Sequence, residues 1–124
     1  MAASYLEASL DRLGAPVQRD DTIEICINPD GQVWGEFQGD HFMRSLGMPL
    51  TQTEIKDLGN QIASAASTTL STKKPIVSVS ILYRDRPIRA QVIQPPAVEG
   101  GFSISLRFFS SLPLEAIRLG FLYG

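Results

Sequence analysis

Residues 102–108 read Phe-Ser-Ile-Ser-Leu-Arg-Phe, apolar and polar by turns without a break. A period of two belongs to a strand with one buried face and one wet face. Two further β-rich runs precede it, Ile76 to Leu82 and Ile88 to Ile93. Tyr83-Arg84-Asp85-Arg86-Pro87 separates those two, and a loop bracketed by Pro95-Pro96 and Gly100-Gly101 leads into the third. Consecutive strands joined by turns, with no crossover helix between them, must run antiparallel. A second β unit lies upstream. Thr22 to Ile27 alternates, Asn28-Pro29-Asp30-Gly31 is a turn by composition, and Gln32 to Phe37 returns as its hairpin partner. A short third strand is expected around Phe42 to Leu46.

Helical spacing appears in two places. Leu6, Leu10 and Leu13 fall on one face of a helix over residues 4–13, with Ser4 and Glu7 at capping-box spacing and Gly14 then Pro16 as the stop. Thr51 and Glu54 repeat the capping-box pattern ahead of Ile55, Leu58 and Ile62, with Ala63, Ala65 and Ala66 beyond. Ser67 to Lys74 reads as a polar loop, and residues 113–119 as a last short helix. No internal repeat or low-complexity tract interrupts this order. The expected fold is α+β: a single domain with a mostly antiparallel sheet of about five to six strands flanked by helices. A chain of 124 residues is one domain, and it buries very roughly two-thirds of its unfolded surface.

Composition narrows the chemistry. Eleven Lys and Arg against 13 Asp and Glu give a net charge of −2, without the basic excess of a duplex-DNA binder. No sequence-specific nucleic-acid binding is expected. One cysteine, Cys26, and one histidine, His41, exclude an internal disulfide, a thiolate-rich metal site and a His-pair site. No signal peptide or membrane-length apolar run is visible, so a cytoplasmic setting is expected. The chain has no G-x-x-x-x-G-K-[ST] and no G-x-G-x-x-G. Cys26, between Ile25 and Ile27, reads as a buried packing thiol, and His41 as a surface histidine. Asp20, Asp21 and Glu24 read as a solvated edge. Nothing resembles a self-sufficient enzyme.

Two arginines stand apart. If the loop at 94–101 closes a regular hairpin centred near residue 98, partners sum to 196, and Arg89 faces Arg107. Each lies opposite its strand's apolar face. Two like charges directly across strands disfavour a fold by up to about 1 kcal/mol, and Asp85 or Glu99 is the expected compensating charge. The pair reads either as two solvated arginines or as an anion clamp, since paired guanidinium forks suit phosphate.

Several segments in order resemble a known family. They are Ile23-Glu24-Ile25-Cys26-Ile27-Asn28 with Gly31-Gln32-Val33-Trp34-Gly35-Glu36, then Pro49-Leu50-Thr51 with Ile62-Ala63-Ser64. Lys74-Pro75-Ile76-Val77-Ser78 and Arg89-Ala90-Gln91-Val92-Ile93-Gln94-Pro95-Pro96-Ala97 follow, then Phe102-Ser103-Ile104-Ser105-Leu106-Arg107. The series closes on Pro113-Leu114-Glu115-Ala116-Ile117 and Gly120-Phe121. Over about residues 5–122 this series resembles the N-terminal domain of the VirB-type hexameric traffic ATPases of bacterial type IV secretion and conjugation systems. The resemblance implies that residues 1–112 are that domain and residues 113–124 the start of a linker toward a C-terminal RecA-like ATPase domain outside this chain. It implies a homo-hexamer at the cytoplasmic side of the inner membrane, among other secretion components, that energises pilus assembly and substrate transfer. ATP with Mg would be bound mainly by the C-terminal domain, with Arg89 and Arg107 reaching the terminal phosphate. This chain alone would not hydrolyse ATP. Two departures stand out: the turn at 83–87 lacks the family's usual Pro-Asp-Gly character, and Phe108 follows Arg107 where a second basic residue is common. Two other readings fit the size and charge. One is a small acidic secretion chaperone, a non-enzymatic dimer with apolar grooves; the other is the matching domain of a pilus assembly or retraction ATPase.

Overall fold

The apolar sides of the alternating runs share one layer. In the computed structural model, which describes residues 2–65, 75–95 and 100–109 (residues 2–5 as backbone only), nine elements follow the expected order. Helices α1 (Ala2–Asp11) and α2 (Ala15–Gln18) come first, then β1 (Thr22–Ile27), β2 (Val33–Phe37) and β3 (Arg44–Ser45). Helix α3 (Gln52–Ala65) is followed by β4 (Ile76–Tyr83), β5 (Arg86–Ile93) and β6 (Ser103–Phe108). The strands form one six-stranded sheet in the order β3-β2-β1-β6-β5-β4, antiparallel at every junction. The α+β fold with six strands is as the sequence indicates. The expected loop at 67–74 and helix at 113–119 lie outside the described residues.

One core unites the layers. Ile25, Ile27, Val33, Ile88, Ala90, Val92, Ile104 and Leu106 point inward and are buried. Leu6, Leu10 and Leu13 from the first helical segment and Ile55, Leu58 and Ile62 from α3 close over them. Helix α1 packs on α3, and α3 on β4, β5 and β6. Among the described residues, the helices therefore cover one face of the sheet and leave the alternate, polar positions on the other.

Local chemistry sets the ends of the elements. At α3 the Thr51 hydroxyl accepts from the Glu54 amide (3.1 Å), and the Glu54 carboxylate accepts from the Thr51 amide (2.9 Å), a complete capping box. The backbone hydrogen bond from Thr51, then the one to its hydroxyl, holds the Glu54 carboxyl below its ordinary pKa. Gly31 sits at φ +91°, where a Cβ would collide with the Leu50 carbonyl. That close approach lets the Leu50 amide donate to Gly31 O (2.8 Å) and brings the chain entering α3 onto the β1–β2 turn.

Three expectations need correction. Helix α1 begins at Ala2, so Ser4 lies inside it and does not cap it. Pro16 does more than stop a helix. With φ pre-set it opens the four-residue α2, whose Val17 is buried. The turn before β5 is also tighter than the stretch 83–87 suggests. Tyr83 pairs with Arg86, leaving only Arg84 and Asp85 in the turn, both in the left-handed region (φ 50° and 64°). A two-residue hairpin turn of this kind usually carries Asn-Gly, and Arg-Asp gives no such signal.

The tight turn is tied to α1. Tyr83 Oη donates to Asp11, and the Arg84 guanidinium binds both Asp11 carboxylate oxygens at 3.1 Å. The Tyr83 hydrogen bond, then the Arg84 pair, holds the Asp11 carboxyl below its ordinary pKa. A depressed carboxylate stabilises the fold fully above its unfolded pKa, about 4, and loses that contribution as pH falls through the lower folded value. Asp11→Asn is therefore expected to flatten the fall in melting temperature below pH 4, measured by circular dichroism against pH. At the sheet centre, Leu106→Ala is expected to cost about 2–5 kcal/mol in urea unfolding.

Candidate functional site

The polar face of the sheet carries one row of charges, ordered by register. Ser80 on β4 pairs with Arg89 on β5, and Arg89 with Arg107 on β6. Arg107 pairs in turn with Glu24 on β1, and Glu24 with Glu36 on β2. The row thus runs Ser, Arg, Arg, Glu, Glu across five strands. Arg89 and Arg107 stand directly opposite one another on one face, the 196 register of the hairpin arithmetic. Both are exposed.

The compensating charge is Glu24. Its Oε1 lies 3.7 Å from Arg107 Nε, with 25% of the glutamate side chain and 68% of the arginine side chain exposed. Asp85 stays in the β4–β5 turn, and Glu99 lies outside the described residues. Glu24 is not part of a cluster with Asp20 and Asp21. Asp21 instead forms a two-point ion pair with Arg19, at 2.8 and 2.6 Å. Hairpin arithmetic cannot find Glu24, because β1 and β6 are far apart in sequence; only the β1–β6 register brings it in.

Cys26 also departs from expectation. It is half-buried on the polar face and absent from the core, because Ile25 and Ile27 take the inward positions and alternation turns Cys26 outward. Its thiol donates to Glu24 Oε2 (3.1 Å) and lies 3.7 Å from Ser105 Oγ. Burial, then the Glu24 carboxylate, pushes the thiol pKa up to about 11. His41 is exposed, as expected.

The neighbouring arginines are engaged elsewhere. Arg86 donates to four backbone carbonyls: Arg19 (2.7 Å), Thr22 (2.8 Å), Asp20 (3.2 Å) and Phe109 (3.3 Å). It lies 4.9 Å over the Phe108 ring. Phe108, which stands where a second basic residue is common, thus serves the core and Arg86. Arg84 is held by Asp11. Both line a cleft of about 460 Å³ with Val17, Tyr83, Pro87 and Phe109. That cleft does not include Arg89 or Arg107. Among the described residues no group of three or more His, Cys, Asp or Glu side chains could hold a metal ion. No helix among them is long and apolar enough to cross a membrane. The arginine pair has the donor chemistry for an anion.

A thiol titrating near 11 holds about one three-hundredth of the thiolate of a free cysteine titrating near 8.5 when both are at neutral pH. Cys26 should therefore alkylate with iodoacetamide about 300-fold more slowly than a free peptide cysteine at pH 7.5. Its rate should rise with pH toward a midpoint near 11, read by mass spectrometry of the intact chain.

No protein-family model matches the chain, and no curated protein sequence matches it. Solved structures do. The VirB11 ATPase of the Brucella suis type IV secretion system, in complex with sulphate, is similar at a TM-score of 0.78 and 25% identity, over 97% of this chain and 36% of that one. The pilus retraction motor PilT with bound ADP shares the fold at a TM-score of 0.53 and 17% identity, over 89% of this chain and 34% of that one. The chain thus spans about a third of the length of either motor. Over nearly all of its own length it is built like part of a VirB11-type ATPase, and the resemblance to the N-terminal domain of such an ATPase, read from the sequence, holds in three dimensions.

Proposed function

We propose that the chain is the nucleotide-contacting, ring-forming N-terminal domain of a type IV secretion ATPase, residues 1–112, with residues 113–124 leading toward the ATPase domain. In this reading Arg89 and Arg107 reach the terminal phosphate of ATP, while a RecA-like domain holds the rest of the nucleotide and its Mg. The full protein works as a homo-hexamer, cytoplasmic and against the inner membrane, with other secretion components as partners. It powers protein transport, conjugation or pilus assembly.

One observation carries the reading: Arg89 and Arg107 face each other on the side of the sheet that the described helices leave open, within a fold shared with VirB11. Like charges are set side by side on an open face at a cost to stability, and a phosphate offers both arginines a partner. The VirB11 structure in complex with sulphate and the PilT structure with ADP support an anion-handling role. The polar outer positions of β5 and β6 weigh against the apolar groove that a secretion chaperone needs.

Alone, the 124-residue chain should show no ATP hydrolysis by phosphate release, because the Lys-bearing phosphate loop is absent. In the full ATPase, Arg89→Ala or Arg107→Ala should lower ATP turnover about 10- to 100-fold, the worth of one shielded charge-assisted contact. Ring assembly, followed by sedimentation, should be unchanged. Turnover unchanged in the double variant would refute the assignment.

A further inference from the structure

Glu24 sits where it both steadies and competes for one of the two arginines. Its carboxylate is divided between two neighbours: Oε1 faces Arg107 Nε at 3.7 Å, and Oε2 accepts the Cys26 thiol at 3.1 Å. Cys26 is in turn 3.7 Å from Ser105 Oγ, and Ser105 is the register partner of Cys26 on β6. The neutral thiol thus fixes one oxygen of Glu24 and aims the other at the guanidinium. Among the described residues Arg89 has no such carboxylate as a register partner, since it pairs with Ser80 and Arg107. The two arginines are therefore unequal. Arg89 faces a serine and a like charge, and Arg107 faces a carboxylate on the side away from Arg89.

We propose that Glu24 is a positioning counter-ion for Arg107 that an incoming phosphate must displace, so that it sets the anion affinity of the pair. This rests on the reading of Arg89 and Arg107 as a phosphate site. With no anion present, the carboxylate draws Arg107 toward β1 and relieves the repulsion from Arg89. A phosphate between the arginines offers Arg107 a second acceptor, and its negative charge is repelled by Glu24. Binding then transfers Arg107 from Glu24 to the phosphate, and Glu24 weakens the site's hold on small anions by a small factor when no second domain supplies further contacts. Glu36 lies one strand farther on, beside Glu24 and not beside Arg107. It carries the same charge without the contact and is the internal control.

The probe is inorganic pyrophosphate, titrated at low ionic strength into the 15N,13C-labelled 124-residue chain and followed by NMR. Glu24→Gln keeps the shape and the acceptor for Cys26 but removes the charge. An exposed ion pair is worth a small factor, so Glu24→Gln should bind pyrophosphate about two- to fivefold more tightly than the parent chain, and Glu36→Gln should gain less. In the parent chain the Glu24 side-chain carboxylate carbon should shift as pyrophosphate saturates the site, a readout that does not depend on any variant folding. Unchanged or weaker binding by Glu24→Gln, or a static Glu24 carboxylate, would overturn the counter-ion role. If Arg107→Ala still abolished binding in that case, the phosphate site itself would stand. A gain in Glu36→Gln equal to that in Glu24→Gln would also overturn the proposal, reducing it to net charge. Pyrophosphate binding indifferent to Arg89→Ala and Arg107→Ala would overturn both the site and the role given to Glu24.

Discussion

The antiparallel pairing of β1 with β6 is the contact on which the rest depends. Two locally closed units, the hairpin of β1 and β2 and the meander of β4, β5 and β6, meet only along this seam in the sheet. Hairpins close early because their partners are near in sequence, whereas β1 and β6 lie about 80 residues apart and must repay a larger loop entropy. The repayment is apolar. Ile25 faces Leu106, and Ile27 faces Ile104, and all four are buried under the helices. The same seam, on its polar side, sets Glu24 beside Arg107. Core and charged row are two faces of one register, and a slip by one residue would invert both.

A second consequence concerns how the charges are shared out. Each arginine outside the Arg89–Arg107 pair for which the structure gives polar contacts is committed to structure. Arg19 is bound by Asp21 and stacks 4.0 Å from the Phe37 ring. Arg44 is paired with Asp40, Arg84 with Asp11, and Arg86 is satisfied by carbonyls and pushed below its ordinary pKa by burial. Arg89 and Arg107 differ in being placed together on the polar face of the sheet, with one carboxylate, Glu24, beside Arg107 on the side away from Arg89. In the proposed reading that arrangement is functional: those other arginines are each held by a carboxylate or by backbone carbonyls, and the site arginines are left to a ligand.

Much of this was legible in the sequence because period-two alternation and turn chemistry are local. The strands read at 22–27, 76–82 and 102–108 follow directly from them and form within one residue of those bounds, and the hairpin sum gives the Arg89–Arg107 register. The capping box at Thr51 and Glu54 forms as read. What the sequence hid depends on non-local contacts or on unusual backbone. Cys26 reads as core until the alternation of Ile25 and Ile27 is followed strictly. Glu24 as the partner of Arg107 needs the β1–β6 register. The Arg84-Asp85 turn adopts left-handed conformations without the residues that advertise them, held by Asp11 from another element. The role of Arg86 as a clamp on the chain entering β1 is likewise invisible until α2 has turned Arg19, Asp20 and Thr22 toward it.

In the proposed reading the two facing arginines form one anion site on the face of the sheet that the described helices leave open. Crystals of the 124-residue chain grown with selenate, a phosphate-shaped anion with a strong anomalous signal, test it directly. An anomalous peak is expected to bridge the guanidinium groups of Arg89 and Arg107, with Arg107 drawn away from Glu24. Selenate bound elsewhere, with Arg107 still on Glu24 and Arg89 bare, would contradict it.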